Sequence, residues 1–505
     1  MSGLVTPSRD LRRLGVIVLV VVAIAAGVAS GRAHVSRPVR PVEPTDAAEL
    51  PAKGALTTAW YCPGMPATFP IADQTVTLTN FGSSGAAAVV TVHPDNGAAP
   101  VSRTITVPRD SVQTFDRSTL SVASVRSSRQ TTIVARNPLP NGPIIVEPFS
   151  PDVVVSAGLE RSDALATGPC ASTTATDWYF AAGTTVRGVS QWLVLDDPFA
   201  ADARVDVSLR TDSGLQLLPA LSGLDVPGRS RLVIPIHDDA VRQQLVAVEV
   251  HAAVGRVVAS QTLQFAPASG PPGVATSIGA VAPASAWWFT GGDTRTGASE
   301  WVAIADVGEL DARVNVQAQT ASKAIVRPVE VTVPSGGVSL VRIGGCSATK
   351  ATCLDVPRRT AFVLLVHSDA NAPIVAQTLS RFEGSRKGTA GAATSMGSTA
   401  PARRWVIPRT RVLGERSTTI ALTNPGVDPA HVVVAVVHDG QVDRPESLRH
   451  LTIASGERVV IPFGAQAVLR RVDAGVVITS DVPVFAESTI YAERDATRAP
   501  GIPSR

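Results

Sequence analysis

Trp178-Tyr179-Phe180 opens the stretch that decides the fold, because the chain writes it four times. The other copies begin Trp60-Tyr61-Cys62, Trp287-Trp288-Phe289 and Trp405-Val406-Ile407, at successive intervals of 118, 109 and 118 residues. An apolar run follows each tryptophan: TVTLTNFG (75–82), QWLVLDDP (191–198), EWVAIADV (300–307) and TTIALTNPG (418–426). The turn residues closing these runs, Asn80, Asp197, Asp306 and Asn424, keep a nearly constant offset from the tryptophan. Next come AAVVTVH (87–93), ARVDVSL (203–209), ARVNVQA (312–318) and AHVVVAV (430–436). Alternation with period two is the pattern of a strand with one buried face. Val107-Pro108, Val226-Pro227, Val333-Pro334 and Ile453-Ala454 mark a further strand end. VVVSAGLE (153–160), VVASQTLQ (257–264), IVAQTLSR (374–381) and VFAESTIY (484–491) close the unit.

Four landmarks in register define a repeat of about 110 residues, a usual domain size and too long for a propeller blade or solenoid rung. Short strand candidates separated by Gly, Pro, Asn and Asp turns predict an all-β chain of four tandem immunoglobulin-like antiparallel β-sandwich repeats. The repeats span 56–170, 171–283, 284–400 and 401–495, with 496–505 as a tail. Each is expected to hold its own core, as beads on a string rather than one closed ring.

Leu14 to Ser30 carries no charge and follows Arg9, Arg12 and Arg13. Its 17 residues reach the lower bound for a membrane-spanning helix. The stretch is read as a signal anchor (14–30) with a cytoplasmic tail (1–13). A cleavable signal peptide is the competing reading. A Pro-rich linker (31–55) then lifts the first repeat from the membrane. The expected location is the cell membrane, single-pass, with the C-terminal region outside. Net charge is +3, with six arginines among the first 40 residues, so the remainder lacks the basic footprint of a nucleic-acid binder.

The four cysteines, Cys62, Cys170, Cys346 and Cys353, lie beyond the apolar stretch and allow three pairings. The local reading joins Cys62 to Cys170 and Cys346 to Cys353. Free thiols or a metal site are the alternative, but no CxxC knuckle or histidine spacing supports zinc. Trp60, Trp178, Trp287 and Trp405 are read as repeat markers in the core. Trp192 and Trp301, each 14 residues after a marker, are possible ligand platforms for a sugar face or else packing residues.

Gly188-Val189-Ser190-Gln191-Trp192 and Gly297-Ala298-Ser299-Glu300-Trp301 resemble a nucleophile elbow, yet they precede a strand and lack the second glycine. His237-Asp238-Asp239 is the best local cluster and reads as a polar turn. No HExxH pair, phosphate loop, dinucleotide fingerprint or EF-hand occurs, so no catalytic, metal or cofactor-binding residue is assigned.

Trp178-Tyr179-Phe180-Ala181-Ala182-Gly183, then Trp192-Leu193-Val194-Leu195, resembles a W-Y-F-A-E-G repeat of extracellular actinobacterial proteins. Leu422-Thr423-Asn424-Pro425 and Ser480-Asp481-Val482-Pro483-Val484-Phe485-Ala486-Glu487 supply its later motifs, as do Ser368-Asp369 and Pro373-Ile374-Val375-Ala376-Gln377. Ala182 departs from the repeat's glutamate, and repeat one ends on a degenerate Ala157-Gly158. The resemblance is to an uncharacterised envelope family, a domain of unknown function. It implies a modular build at the cell surface and brings no catalytic residues.

The expected function is therefore a non-enzymatic, membrane-anchored envelope protein. It would act as a scaffold or binding surface for cell-wall glycan or envelope proteins. A carbohydrate-binding array using the tryptophans is one alternative, and an accessory hydrolase or transferase with an unrecognised site is another.

Overall fold

The alternating stretches form strands Ala86–Val92, Ala203–Thr211, Ala312–Thr320 and Ala430–His438. Each starts with buried residues alternating with more exposed ones, as one-sided burial requires. The computed structural model describes residues 46–505 except 53–54, 66–72, 117–118, 120–121, 129–130, 138, 162–163, 295–296, 321–325, 347–351, 370–371, 384–389, 412–416, 464–472, 493 and 505. The expected anchor at 14–30 lies outside the described residues. Among those described, no helix is long and apolar enough to cross a membrane.

The described chain is all-β, with antiparallel sheets stacked in pairs. In repeat two, one sheet orders the Trp strand Asp177–Phe180, then Val246–Val254, Ala203–Thr211 and Gly214–Gln216. Its partner sheet orders Ser230–Pro235, the turn strand Val189–Asp197, the closing strand Val258–Phe265 and an edge strand Gly273–Ile278. Repeats one and three repeat this arrangement. In repeat four the single strand Ala474–Tyr491 serves both sheets.

The strand order departs from the expected immunoglobulin pattern. There the first two strands are sheet neighbours. Here the Trp strand pairs with Val246–Val254, and the turn strand pairs with the closing strand.

Each repeat has its own core around its marker tryptophan. Trp60, Trp178, Trp287 and Trp405 are at most 2% exposed. Three indole N–H groups donate to the start of the closing strand: Trp178 to Val257 O (2.9 Å), Trp287 to Ile374 O (2.8 Å) and Trp405 to Val484 O (2.7 Å). A large aromatic hydrogen-bonded to backbone fixes the two sheets against each other, and this explains why tryptophan sets the phase.

The repeats are not beads on a string. Four edge strands, Ala164–Pro169, Gly273–Ile278, Ala390–Met396 and Ala496–Pro500, pack each against the next, and the fourth against the first. The repeats therefore close into a ring within the compact unit Pro44–Arg505. An edge strand left bare would expose a row of unpaired backbone groups to solvent, and the ring packs all four against neighbours around its axis. This covering is tertiary, so strand periodicity carries no trace of it.

Each seam is distinct. Between repeats one and two, Met65, Leu159 and Ala164 meet Val194 and Val274, and Arg231 reaches Asp95 (2.8 Å) and Pro63 O (2.6 Å). Between two and three, Ala182 N donates to Gln377 Oε1 (2.9 Å), and Arg210 Nε to Asp306 O (3.1 Å). Between three and four, Thr290 N and Gly291 N donate to Glu487 Oε2 (2.7 and 2.6 Å). Between four and one, Arg409 bonds Glu160 and Asp473, and Arg411 joins Glu160 at 2.6 Å. Burial pushes the Glu160 carboxyl up, but Arg409 and Arg411 outweigh it and hold it below the usual range.

Both ends of the described chain depart from the sequence boundaries. The expected tail forms strands Ala496–Pro500 and Ile502–Ser504, the second paired with the Trp strand of repeat four. Part of the expected linker is docked: Ser172 N donates to Ala47 O (2.9 Å), and Leu50 N to Pro503 O (2.8 Å).

Candidate functional site

The four edge strands surround a central axis. In an antiparallel ladder, alternate residues turn their backbone N–H and C=O away from the partner strand. Leu165, Val274, Ala392 and Ala496 form one layer whose N–H groups point to the axis. All four converge on the single carboxylate of Asp495. Its Oδ2 accepts from Leu165 N and Val274 N, both at 2.9 Å, and its Oδ1 from Ala392 N (3.2 Å) and Ala496 N (2.9 Å). One donor comes from each repeat. The positions aligned with Asp495 in repeats two and three are glycines. A Cβ on Gly273 or Gly391 would stand 2.8 or 2.4 Å from Asp495 Oδ1. Burial pushes the Asp495 carboxyl up to about 7, against the four N–H donors that pull it down.

Two residues along lies a second layer, Thr167, Thr276, Thr394 and Arg498. Thr167 N donates to Thr497 Oγ1 (3.0 Å), whose hydroxyl returns a bond to Thr167 O (2.9 Å). Arg498, only 2% exposed, donates to Glu300 Oε1 at 2.9 Å across the third seam. Burial pulls the guanidinium down, but Glu300 and Glu487 outweigh it and raise it.

The third layer is Pro169, Ile278, Met396 and Pro500, where the axis opens into a cleft that these four residues line. Asp46 and Ala47 form part of its wall. Asp46 accepts from the Thr399 hydroxyl at 3.3 Å.

The residues singled out in the sequence fall elsewhere. Cys62–Cys170 and Cys346–Cys353 are both disulfides. Trp192 and Trp301 are half-buried. Trp192 packs on the first seam beside Val233 and meets the His237 ring edge-on at 4.7 Å. Ser190 and Ser299 lie in strands, after Gly188 and Gly297 at φ 83° and 85°. His237 Nδ1 is 3.0 Å from Gln191 O in a single helical turn, Ile236–Asp239. Among the described residues, no three His, Cys, Asp or Glu side chains are placed to hold a metal.

The sequence reading missed Arg498 because it ended repeat four at 495, before the edge strand, and Asp495 because the aligned positions in repeats two and three are Gly273 and Gly391. One signal was present: Gly279, Gly397 and Gly501 stand in register, and the last carries the repeat past 495.

No curated protein matches the chain in sequence. Among solved structures it is similar to the Anabaena sensory rhodopsin transducer, at 20% identity and a TM-score of 0.15, over 17% of this chain and 82% of that one. A second is Thermotoga maritima 1070, at 14% identity and 0.18, over 21% and 96%. A third is a tetra-tandem repeat from the extending region of a large adhesion protein, at 9% identity and 0.11, over 89% and 100%. Scores this low establish no common fold. The edge of repeat one, all of repeat two and most of repeat three, residues 148–385, match a family of unknown function, DUF5719.

Proposed function

We propose that this chain is a non-enzymatic, membrane-anchored protein of the cell envelope. Its ring of sandwiches is a rigid scaffold or binding surface for cell-wall components or partner proteins. The observation that carries the reading is the pair of disulfides, with no free cysteine among the described residues. Such pairs form and persist in oxidising compartments. The charge-free stretch 14–30 and its preceding arginines supply the anchor. Asp46, the first described residue, lies in the wall of the axial cleft. Trp192 on the first seam counts against a row of exposed sugar platforms.

The test is fractionation of cells producing the full chain, followed by protease shaving and thiol alkylation without reductant. Recovery in membranes, cleavage from outside and no alkylation of Cys62 or Cys170 are expected. A cytosolic protein with reactive thiols would refute the reading. A glycan array on the same protein reads the carbohydrate alternative, which requires binding lost in Trp192→Ala and Trp301→Ala variants that still fold.

A further inference from the structure

The axial cleft is built differently from an ordinary surface groove. Its walls are the free edges of four β-strands, one from each repeat. In the first layer, and in repeat one at the second, those edges are met from within. Asp495 takes the four N–H groups of the first layer, and Thr497 both donates to and accepts from Thr167 in the second. At the third layer the strands continue, with Ile278 and Met396 turned the same way as Val274 and Ala392. Their N–H and C=O groups face the cleft, joined by the carbonyls of Pro169 and Pro500. Neighbouring bonds fix this phase independently: Cys170 N, Gly279 N and Gly501 N all point back to their own closing strands, at Val155 O, Ala259 O and Ala486 O.

A free strand edge is a template for another extended chain. From this arrangement we infer that the axial cleft binds an uncharged, extended peptide segment by strand addition along the edges of Gly273–Ile278 and Ala390–Met396. The segment continues the interface that the four edge strands already make. Two N–H donors and the carbonyls of Ile278, Pro169 and Pro500 supply the backbone pairing, while Met396 O already accepts from Ser395 Oγ at 3.4 Å. The side chains of Ile278, Met396, Pro169 and Pro500 form an apolar collar that suits small side chains. The cleft's guanidinium, Arg498, is matched by Glu300, and the carboxylate in its wall, Asp46, accepts from the Thr399 hydroxyl. The inference goes beyond the envelope reading and holds wherever the protein resides.

The chain itself suggests the decisive variant. Proline already occupies this layer in repeats one and four, so Ile278→Pro/Met396→Pro removes both N–H donors in a setting the fold accepts. Ile278→Ala/Met396→Ala keeps the donors and removes the collar side chains. Each full-length protein is panned against capped pentapeptides of Ala, Ser, Thr and Val, and binders are titrated by calorimetry. We expect binders with Kd at or below about 100 µM, weakened about tenfold or more by the double proline and by N-methylation of the peptide backbone. The alanine pair should keep most of the binding. Absence of any binder overturns the inference. So does binding that survives N-methylation, a readout that stands even where the proline variant is unstable. A glycan that occupies the cleft in place of peptide also overturns it, while leaving the envelope reading intact.

Discussion

Cys62 and Cys170 are joined at the place where, in the next repeat, the Phe180 ring lies over Gly279. The aligned pair in repeat three is Phe289 on Gly397, and in repeat four Ile407 on Gly501. Each links the Trp strand to the residue that follows the edge strand. A Cβ on Gly279 or Gly397 would stand 2.7 or 2.8 Å from the phenylalanine ring, so the glycine is required by close approach. Gly397→Ala should cost about 1–3 kcal/mol by overpacking, read as a urea midpoint. Cys62→Ser/Cys170→Ser should cost about 2–5 kcal/mol. Cys62→Phe/Cys170→Gly should recover part of that loss, and a double variant no better than the serine pair would refute the equivalence.

Asp495 binds one N–H from every repeat, so its loss should be felt around the whole ring. Asp495→Ala leaves buried donors unmatched and should cost at least about 3 kcal/mol, since each unmet group costs about 1–3 kcal/mol. Hydrogen exchange at Leu165, Val274 and Ala392 should accelerate together. Faster exchange at Ala496 alone would mean that the carboxylate serves only its own strand.

The turn residues offer an internal comparison. Asn80 donates Nδ2 to Val107 O at 3.1 Å, and Asn424 donates to Ile453 O at 3.0 Å. Asp306 holds the same place, but its Oδ2 is buried with no partner in the structure. Burial raises its carboxyl, which can donate only when protonated. Asp306→Asn should therefore add about 1 kcal/mol of stability at pH 8. The gain should shrink as pH falls and the native carboxyl recovers its proton. A loss of stability at pH 8 would contradict this account.

Buried carboxyls set the response to pH. Burial pushes Asp196 up to about 8 and Asp197 up to about 6, and Asp495 stands at about 7. An unfolded aspartate titrates near 4. A folded value raised above the unfolded one favours folding while the group is protonated, and this contribution fades as pH rises through the folded value. The urea midpoint should therefore fall between pH 5 and pH 8.5. Asp196→Asn should flatten the upper part of that fall. A midpoint that rises over this range would show that these groups are ionised in the fold. Below pH 5 the trend reverses as Glu160, held low by Arg409 and Arg411, takes up its proton.

Much of the fold was legible because large aromatic core residues recur at fixed spacing. Trp60, Trp178, Trp287 and Trp405 mark the phase, and alternation around Val205, Val314 and Val432 marks the buried faces. Cysteine spacing also gave both disulfides. The ring was not legible, since an edge strand reads the same whether its free side meets water or a neighbour. The axial site was hidden for a related reason. Asp495 occurs in one repeat only, while the aligned Gly273 and Gly391 give space rather than chemistry, so periodicity points away from it. Arg498 was lost with the edge strand that carries it.

The bond from Leu50 N to Pro503 O brings the two ends of the described chain together at one rim of the cleft. A ring whose ends meet has no structurally first repeat. The chain could be cut at the connection after repeat two or three and its present ends joined by a short link, and the same seams would form. The order of the four units is then a matter of where translation starts. What the present order adds is that a pull on the segment before Leu50 would pass directly to Ile502–Ser504, the strand that follows the one completing the circle.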